Sequence, residues 1–303
     1  MKFFGAGSRN TWIFALSPRI FACAVLLLAI PTVVMRIRSA PSPDGHVRER
    51  SSVEGPPVTL GLSDSVVLQA ARQHWVLDET VKTELGGRAF RVNRTSPLRP
   101  AGDALEFVQS LLPASDAGDA VATFSIFLAV LDCRRALGGP PRASSDNGDV
   151  LRRMTECTAL FETPSWMTRD WLTLAADQGS IEAMLNYPND PAYVLGDNDA
   201  VAYQAPERVA EWRQRARGYL ETASRAGSQD AMLELSSAYG AGVYVDKDAC
   251  LQHAYALVAQ RMYPIPGLDH LIGSYERELT PAQKVRSREI ARDLYRTCCE
   301  GGN

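Results

Sequence analysis

The 303-residue sequence predicts an all-α fold, a set of stacked αα-hairpins behind an N-terminal membrane helix. Three observations carry this prediction. One phrase, L-x-x-A-x-x-x-G with a further Ala four residues on, occurs as Leu111–Ala122, Leu172–Ala183 and Leu220–Ala231. A run without a single charge, Ile20–Met35, lies near the start. From residue 101 to the C-terminus, apolar residues recur with helical rather than strand period.

Residues 1–19 are a basic tail carrying Lys2, Arg9 and Arg19. Residues 20–35, IFACAVLLLAIPTVVM, read as a membrane anchor in contact with the lipid bilayer. As a helix this run would span roughly 24 Å at 1.5 Å per residue, short of the ~30 Å hydrocarbon core. Arg19, Arg36 and Arg38 can snorkel to the interface while the bilayer thins around them. A cleaved signal would need small residues at positions −3 and −1. With Ala40 at −1, Arg38 falls at −3 and Pro41 follows the cut. An uncleaved signal anchor is therefore favoured over a secreted or periplasmic product, with a mitochondrial targeting segment as a minor option. The positive-inside bias is slight and favours the tail inside. The expected location is the inner (cytoplasmic) membrane, single-pass, with the C-terminal body periplasmic.

Residues 36–60 read as a flexible tether, rich in Pro, Ser, Gly and charge without a hydrophobic period. Residues 61–100 read as a helical lead-in over Ser63–Leu85 and a loop over Gly86–Pro100. Residues 101–303 are the helical repeat body.

The phrase has a physical logic. Leu111, Leu172 and Leu220 share a helix face with Ala114, Ala175 and Ala223, three residues on. Gly118, Gly179 and Gly227 can end that helix in the left-handed conformation. Asp119, Ser180 and Ser228 follow at once and can cap the next helix. Ala122, Ala183 and Ala231 then open a new buried face, small enough for close helix approach. The phrase thus marks the turn of a hairpin. The inserted stretch Asn186–Val209, with its prolines and acids, reads as a loop.

Net charge is −3 overall, unevenly spread. Within residues 1–50, Lys2, Arg9, Arg19, Arg36, Arg38, Arg48 and Arg50 face only Asp44 and Glu49, so the remainder carries −8. An acidic body speaks against non-specific nucleic-acid binding, which needs a basic face. Of six cysteines, Cys23 lies in the apolar run; no pair forms C-x-x-C, which leaves zinc ribbons and thioredoxin-like chemistry without support. Antiparallel pairing would bring Cys133 to Cys157, and Cys250 to either Cys298 or Cys299.

The stretch Ala231–Gln260, AMLELSSAYGAGVYVDKDACLQHAYALVAQ, resembles a Sel1-like repeat through Ala231, Leu235, Tyr239, Gly242, Val243, Asp246 and Ala249. The likeness is good over 211–260, partial over 166–187 and faint over 104–137; a single copy has the Gly-x-Gly turn. Sel1-like repeats are TPR-like helical hairpins that stack into a solenoid and bind other proteins. The resemblance therefore implies a protein-binding scaffold with an unspecified protein partner.

Catalytic templates find little. His46, His74, His253 and His270 form no H-E-x-x-H, and no P-loop or G-x-S-x-G elbow is present. Asp197 and Asp199 lack the turn glycine and terminal Glu of a calcium loop. No catalytic, metal or cofactor residue is assigned. The aromatic residues Trp166, Trp171, Trp212, Tyr219, Tyr239 and Tyr255 are expected mostly in the core. The expected function is an envelope interaction scaffold or regulator without catalysis; the alternative is a cell-envelope hydrolase with a helical catalytic domain.

Overall fold

The computed structural model describes residues 75–95, 98–138, 147–196 and 204–300, all within one compact unit, Leu62–Asn303. The tail, the run 20–35 and the tether 36–60 lie outside the described residues, as do Cys23, His46, His74, Asp197 and Asp199. Among the described residues, no helix is long and apolar enough to cross a membrane.

Helix dominates, with twelve α-helices among the described residues. The first are α1 (Ala104–Asp116), α2 (Ala120–Gly138) and α3 (Asn147–Phe161). Short pieces follow: α4 (Pro164–Thr168), α5 (Trp171–Asp177) and α6 (Ile181–Asn186). The inserted stretch after α6 holds a 3-10 turn at Tyr187–Asn189 and α7 (Pro191–Leu195). The last five are α8 (Pro206–Ala226), α9 (Gln229–Ala241), α10 (Ala249–Met262), α11 (Leu268–Glu278) and α12 (Pro281–Cys298). Helices α1 and α2 pack together, as do α5 with α6, α8 with α9, and α9 with α10. Cross-contacts of α2 with α5, and of α6 with α8, join these pairs into a continuous stack.

Two expectations near the start need correction. Residues 75–85 are not helical, and residues 86–100 are not simply loop. Val76 lies in an extended bridge, and β1 (Lys82–Gly86) pairs antiparallel with β2 (Ala89–Val92), Lys82 opposite Val92 and Glu84 opposite Phe90. The cause is local. Val81, Thr83 and Leu85 alternate with Lys82 and Glu84, a period of two. Gly86 and Gly87 then take φ of 113° and 58°, which the hairpin turn requires.

The repeated phrases fall on helix–turn–helix junctions. Gly118, Gly179 and Gly227 have φ of 93°, 104° and 106°. Ser180 caps α6 through the Ala183 N–H, Ser228 caps α9 through the Ala231 N–H, and Asp119 caps α2 through the N–H groups of Val121 and Ala122. Leu172, Ala175, Ala183, Leu220, Ala223 and Ala231 are fully buried. The first copy sits at the end of the stack, and Leu111 and Ala114 are only half-buried.

Helix α12 runs parallel to α10, because α11 supplies the return stroke. Cys250 near the start of α10 lies by Gln283 near the start of α12, and Arg261 near the end of α10 stacks over Tyr295, 3.8 Å from the ring centroid. A capping box of Thr280 and Gln283, with Pro281 in the first turn, fixes where α12 begins.

Candidate functional site

The chain from Trp75 to Arg94 forms a strap across the repeat junctions. At the second junction, the Val76 N–H donates to Gly179 O (2.9 Å) and the Ile181 N–H donates to Val76 O (3.0 Å). At the third, the Phe90 N–H donates to Gly227 O (2.9 Å), and Phe90 bridges in parallel to Ser228. Beside it the Arg88 N–H donates to Cys299 O (3.2 Å), so the strap also holds the end of α12. A junction glycine leaves its carbonyl turned out of the helix, free to accept such a bond. Close approach is the second use of these glycines. A Cβ on Gly227 would lie 2.4 Å from Arg88 O, and one on Gly87 2.6 Å from Cys299 O.

Side chains reinforce the strap at matching positions. Glu182 and Asp230 each stand three residues after their junction glycine. Arg94 donates twice to Glu182, at 2.9 Å to each carboxylate oxygen. Asp230 accepts the Val92 N–H (2.8 Å) and lies 3.7 Å from Arg91. Burial pushes both carboxyls above their usual range; Arg94 offsets this at Glu182, and the Val92 N–H and Arg91 offset it at Asp230. Phe90 is 1% exposed and stacks with Trp75. The first copy has Val121 at the matching position and no strap residue on it among the described residues. The missed signal was therefore in the repeats themselves, an acid recurring in two copies out of three.

A cleft of about 330 Å³ is lined by residues of α8, α9, α10 and α12. Met232, Tyr255, Ile290 and Leu294 form its apolar floor. Glu221, Arg225 and Asp293 stand at its rim, and Cys298 closes one end. Glu221 is paired with Arg217 (2.7 Å) and Asp293 with Arg296 (2.9 Å). Arg225 has one weak bond, to Thr222 Oγ1 at 3.3 Å. The arrangement can hold an apolar side chain under a polar rim. Tyr239 and Gly242 lie off the cleft: Tyr239 stacks on Tyr255 with centroids 5.7 Å apart, and Gly242 ends α9 with φ of 74°.

The cysteines divide otherwise than by helix ends alone. Cys133 and Cys157 are bonded across α2 and α3. Cys298 is bonded to its neighbour Cys299, and Cys250 is a buried free thiol. The pairing of Cys250 with Cys298 or Cys299 is thus corrected. It assumed α10 and α12 antiparallel; they are parallel, which sets Cys250 at the far end of α12 from Cys298. Burial pushes the Cys250 thiol upward.

Other buried polar side chains lie away from the cleft. His253 Nδ1 lies 2.9 Å from Ser287 Oγ, both residues are buried, and burial lowers the His253 pKa. Gln229, fully buried, donates to Ala259 O and Tyr263 O (2.7 Å each) and caps α10. Arg99 bonds Asp132 (3.1 Å) and Glu156 (2.8 Å), tying the segment before α1 to α2 and α3. Among the described residues, no cluster of three His, Cys, Asp or Glu could hold a metal ion. Trp171, Trp212, Tyr239 and Tyr255 are buried, while Trp166 and Tyr219 are half-buried.

No family model matches the chain, and no curated protein matches it. Among solved structures, it is similar to the crystal structure of c5321, a protective antigen present in uropathogenic Escherichia coli strains and described as displaying an SLR fold. Identity is 13%, the TM-score is 0.28, and the match covers 65% of this chain and 57% of that chain. This chain thus spans little more than half of that protein.

Proposed function

We propose that the body is a Sel1-like helical repeat scaffold that binds a protein partner and has no catalysis of its own. The observation that carries this reading is the stack of hairpins built on one recurring junction, with an apolar cleft open beside the last of them. Repeats of this kind bury a continuous core between neighbours and leave an extended surface for partners. An aromatic residue and three aliphatic or thioether side chains under a polar rim suit an apolar anchor from such a partner. The run 20–35 holds this body at a membrane, in our reading the inner membrane with the body in the periplasm.

Affinity capture with the full-length chain in mild detergent tests the scaffold reading. Ile290→Glu and Leu294→Glu, together, should abolish recovery of the captured protein while circular dichroism stays unchanged. Undiminished capture by that variant would move the binding surface away from the cleft. Anchoring is tested separately by alkaline carbonate, which should leave the full-length chain in the membrane pellet. Release of a shortened chain beginning near Pro41 would make the segment a cleaved signal.

A further inference from the structure

The disulfides Cys133–Cys157 and Cys298–Cys299 differ in what they do for the fold. The first closes 24 residues of chain and joins two helices. The second joins sequence neighbours and closes no loop, so it hardly restrains the unfolded chain. Its use lies elsewhere, and its position indicates where. The pair sits between the cleft and the strap. Cys298 lines the cleft, together with Arg225, Leu294 and Thr297. Cys299 meets the strap: its carbonyl accepts the Arg88 N–H (3.2 Å), and its own N–H donates to Tyr295 O (3.0 Å). Cys299 is thereby held on both sides, by the strap and by the last turn of α12.

We propose that Cys298 and Cys299 form a thiol–disulfide exchange site, at which a cysteine thiol on a polypeptide seated in the cleft is captured as a mixed disulfide on Cys298. The proposal rests on the reading of the cleft as a binding surface. The step balances without an added oxidant or reductant. The occupant's thiolate attacks Cys298 Sγ and the Cys298–Cys299 bond breaks. The electron pair of that bond leaves on Cys299 Sγ, which takes up the proton that the occupant's thiol gave up. Position selects the sulfur attacked. Cys298 belongs to the cleft and is 1% exposed, so a thiol must enter the cleft to reach it. Arg225, at the rim, favours the anionic form of an entering thiol. The carboxylates there, Glu221 and Asp293, are offset by Arg217 and Arg296. Position also makes the capture reversible. Cys299 stays next to Cys298, and the helix dipole disfavours a thiolate at the C-terminal end of α12. Cys299 therefore attacks in turn and recloses the ring unless the occupant stays bound. The apolar floor of Met232, Tyr255, Ile290 and Leu294 supplies that hold, so the favoured occupant carries a large apolar residue beside its cysteine.

Two dipeptides, acetyl-Cys-Phe-amide and acetyl-Cys-Ser-amide, test the proposal on the full-length chain in mild detergent. Each is added at the same concentration, exchange is stopped with acid, and unreduced peptides are mapped by mass spectrometry. The Phe probe should be found on Cys298, with Cys299 as a thiol and Cys133–Cys157 intact. It should label at least about tenfold more than the Ser probe, the low end of what burying an aromatic ring yields. Cys299→Ser removes the sulfur that recloses the ring. Given the disulfide-linked dimer of the Phe probe, that variant should keep the adduct on Cys298 through dilution, whereas Cys298→Ser should gain far less on Cys299. Adducts on Cys299 in the wild-type chain would overturn the proposal. The two remaining failures are distinguishable, and either overturns it. If the cleft binds nothing, both probes label Cys298 equally. If exchange is absent, Cys298 stays unlabelled while the Ile290→Glu and Leu294→Glu chain still loses its captured protein.

Discussion

Replacing Gly227 by alanine tests the strap and the junction together, and Gly118→Ala is its internal control. Both glycines have positive φ, so each alanine incurs the left-handed penalty of roughly 1–2 kcal/mol. At Gly118 nothing more is expected from the described residues, none of which comes within 4 Å of the added Cβ. At Gly227 the Cβ falls 2.4 Å from Arg88 O and 3.1 Å from Arg88 C, both backbone atoms that cannot swing aside. The strap must lift. Lifting forfeits the Phe90–Gly227 hydrogen bond, ~1 kcal/mol net, and part of the burial of Phe90, up to ~2 kcal/mol. Gly227→Ala should therefore cost ~3–5 kcal/mol against ~1–2 kcal/mol for Gly118→Ala. In a unit of this size the difference lowers Tm by roughly 5–10 °C more. Urea titration followed by circular dichroism and by tryptophan fluorescence reads both, and Trp75 reports the strap itself. Equal losses at the two glycines would refute the reasoning, because they would mean that Arg88 does not constrain Gly227.

Three further outcomes follow from the same contacts. Arg94→Met strands the buried Glu182 carboxylate and should cost ~2–4 kcal/mol in denaturant, most of it regained when Glu182→Leu is added. Joint replacement of Cys133 and Cys157 by alanine should cost ~3 kcal/mol, since that bond closes 24 residues of chain; non-reducing peptide mapping should also find Cys250 as a thiol. The Arg99 guanidinium holds the Glu156 carboxyl down to about 2, from an ordinary 4.5. A lowered carboxyl contributes stability above its ordinary value and loses it as pH falls towards the lowered one. Stability should drop between those two values, and Glu156→Gln should flatten that slope in denaturant titrations run across the range.

The junctions were legible in the sequence because each needs four residue types in fixed register. Only glycine tolerates the turn, only a short polar side chain caps the next helix, and small or branched apolar residues must flank both. The start of α12 was legible for a similar reason, since Thr280, Pro281 and Gln283 each favour a helix start independently. The strap was not. Its bonds run from backbone to backbone, and backbone groups leave no mark on residue identity. What mark there is lies in Arg91 and Arg94 on one side and Asp230 and Glu182 on the other, separated by 139 and 88 residues. Helix direction was equally hidden: the pairing of Cys250 turned on whether α11 is an independent return stroke, which a helical period cannot tell. The cleft is lined from four helices, and its floor residues look like any other core positions in sequence.

The strap also determines how the molecule takes mechanical load. Tension on the chain upstream of Trp75 first reaches Val76, which is held through its N–H and its C=O at once. Both bonds belong to one residue, so a pull along the strap loads them together. Beyond them the load passes along the chain to Arg88 on the end of α12, then to Phe90 on the third junction and last to the Arg94–Glu182 pair. A pull taken up at the second junction is thus spread over the third junction and the end of α12 without first unwinding a helix.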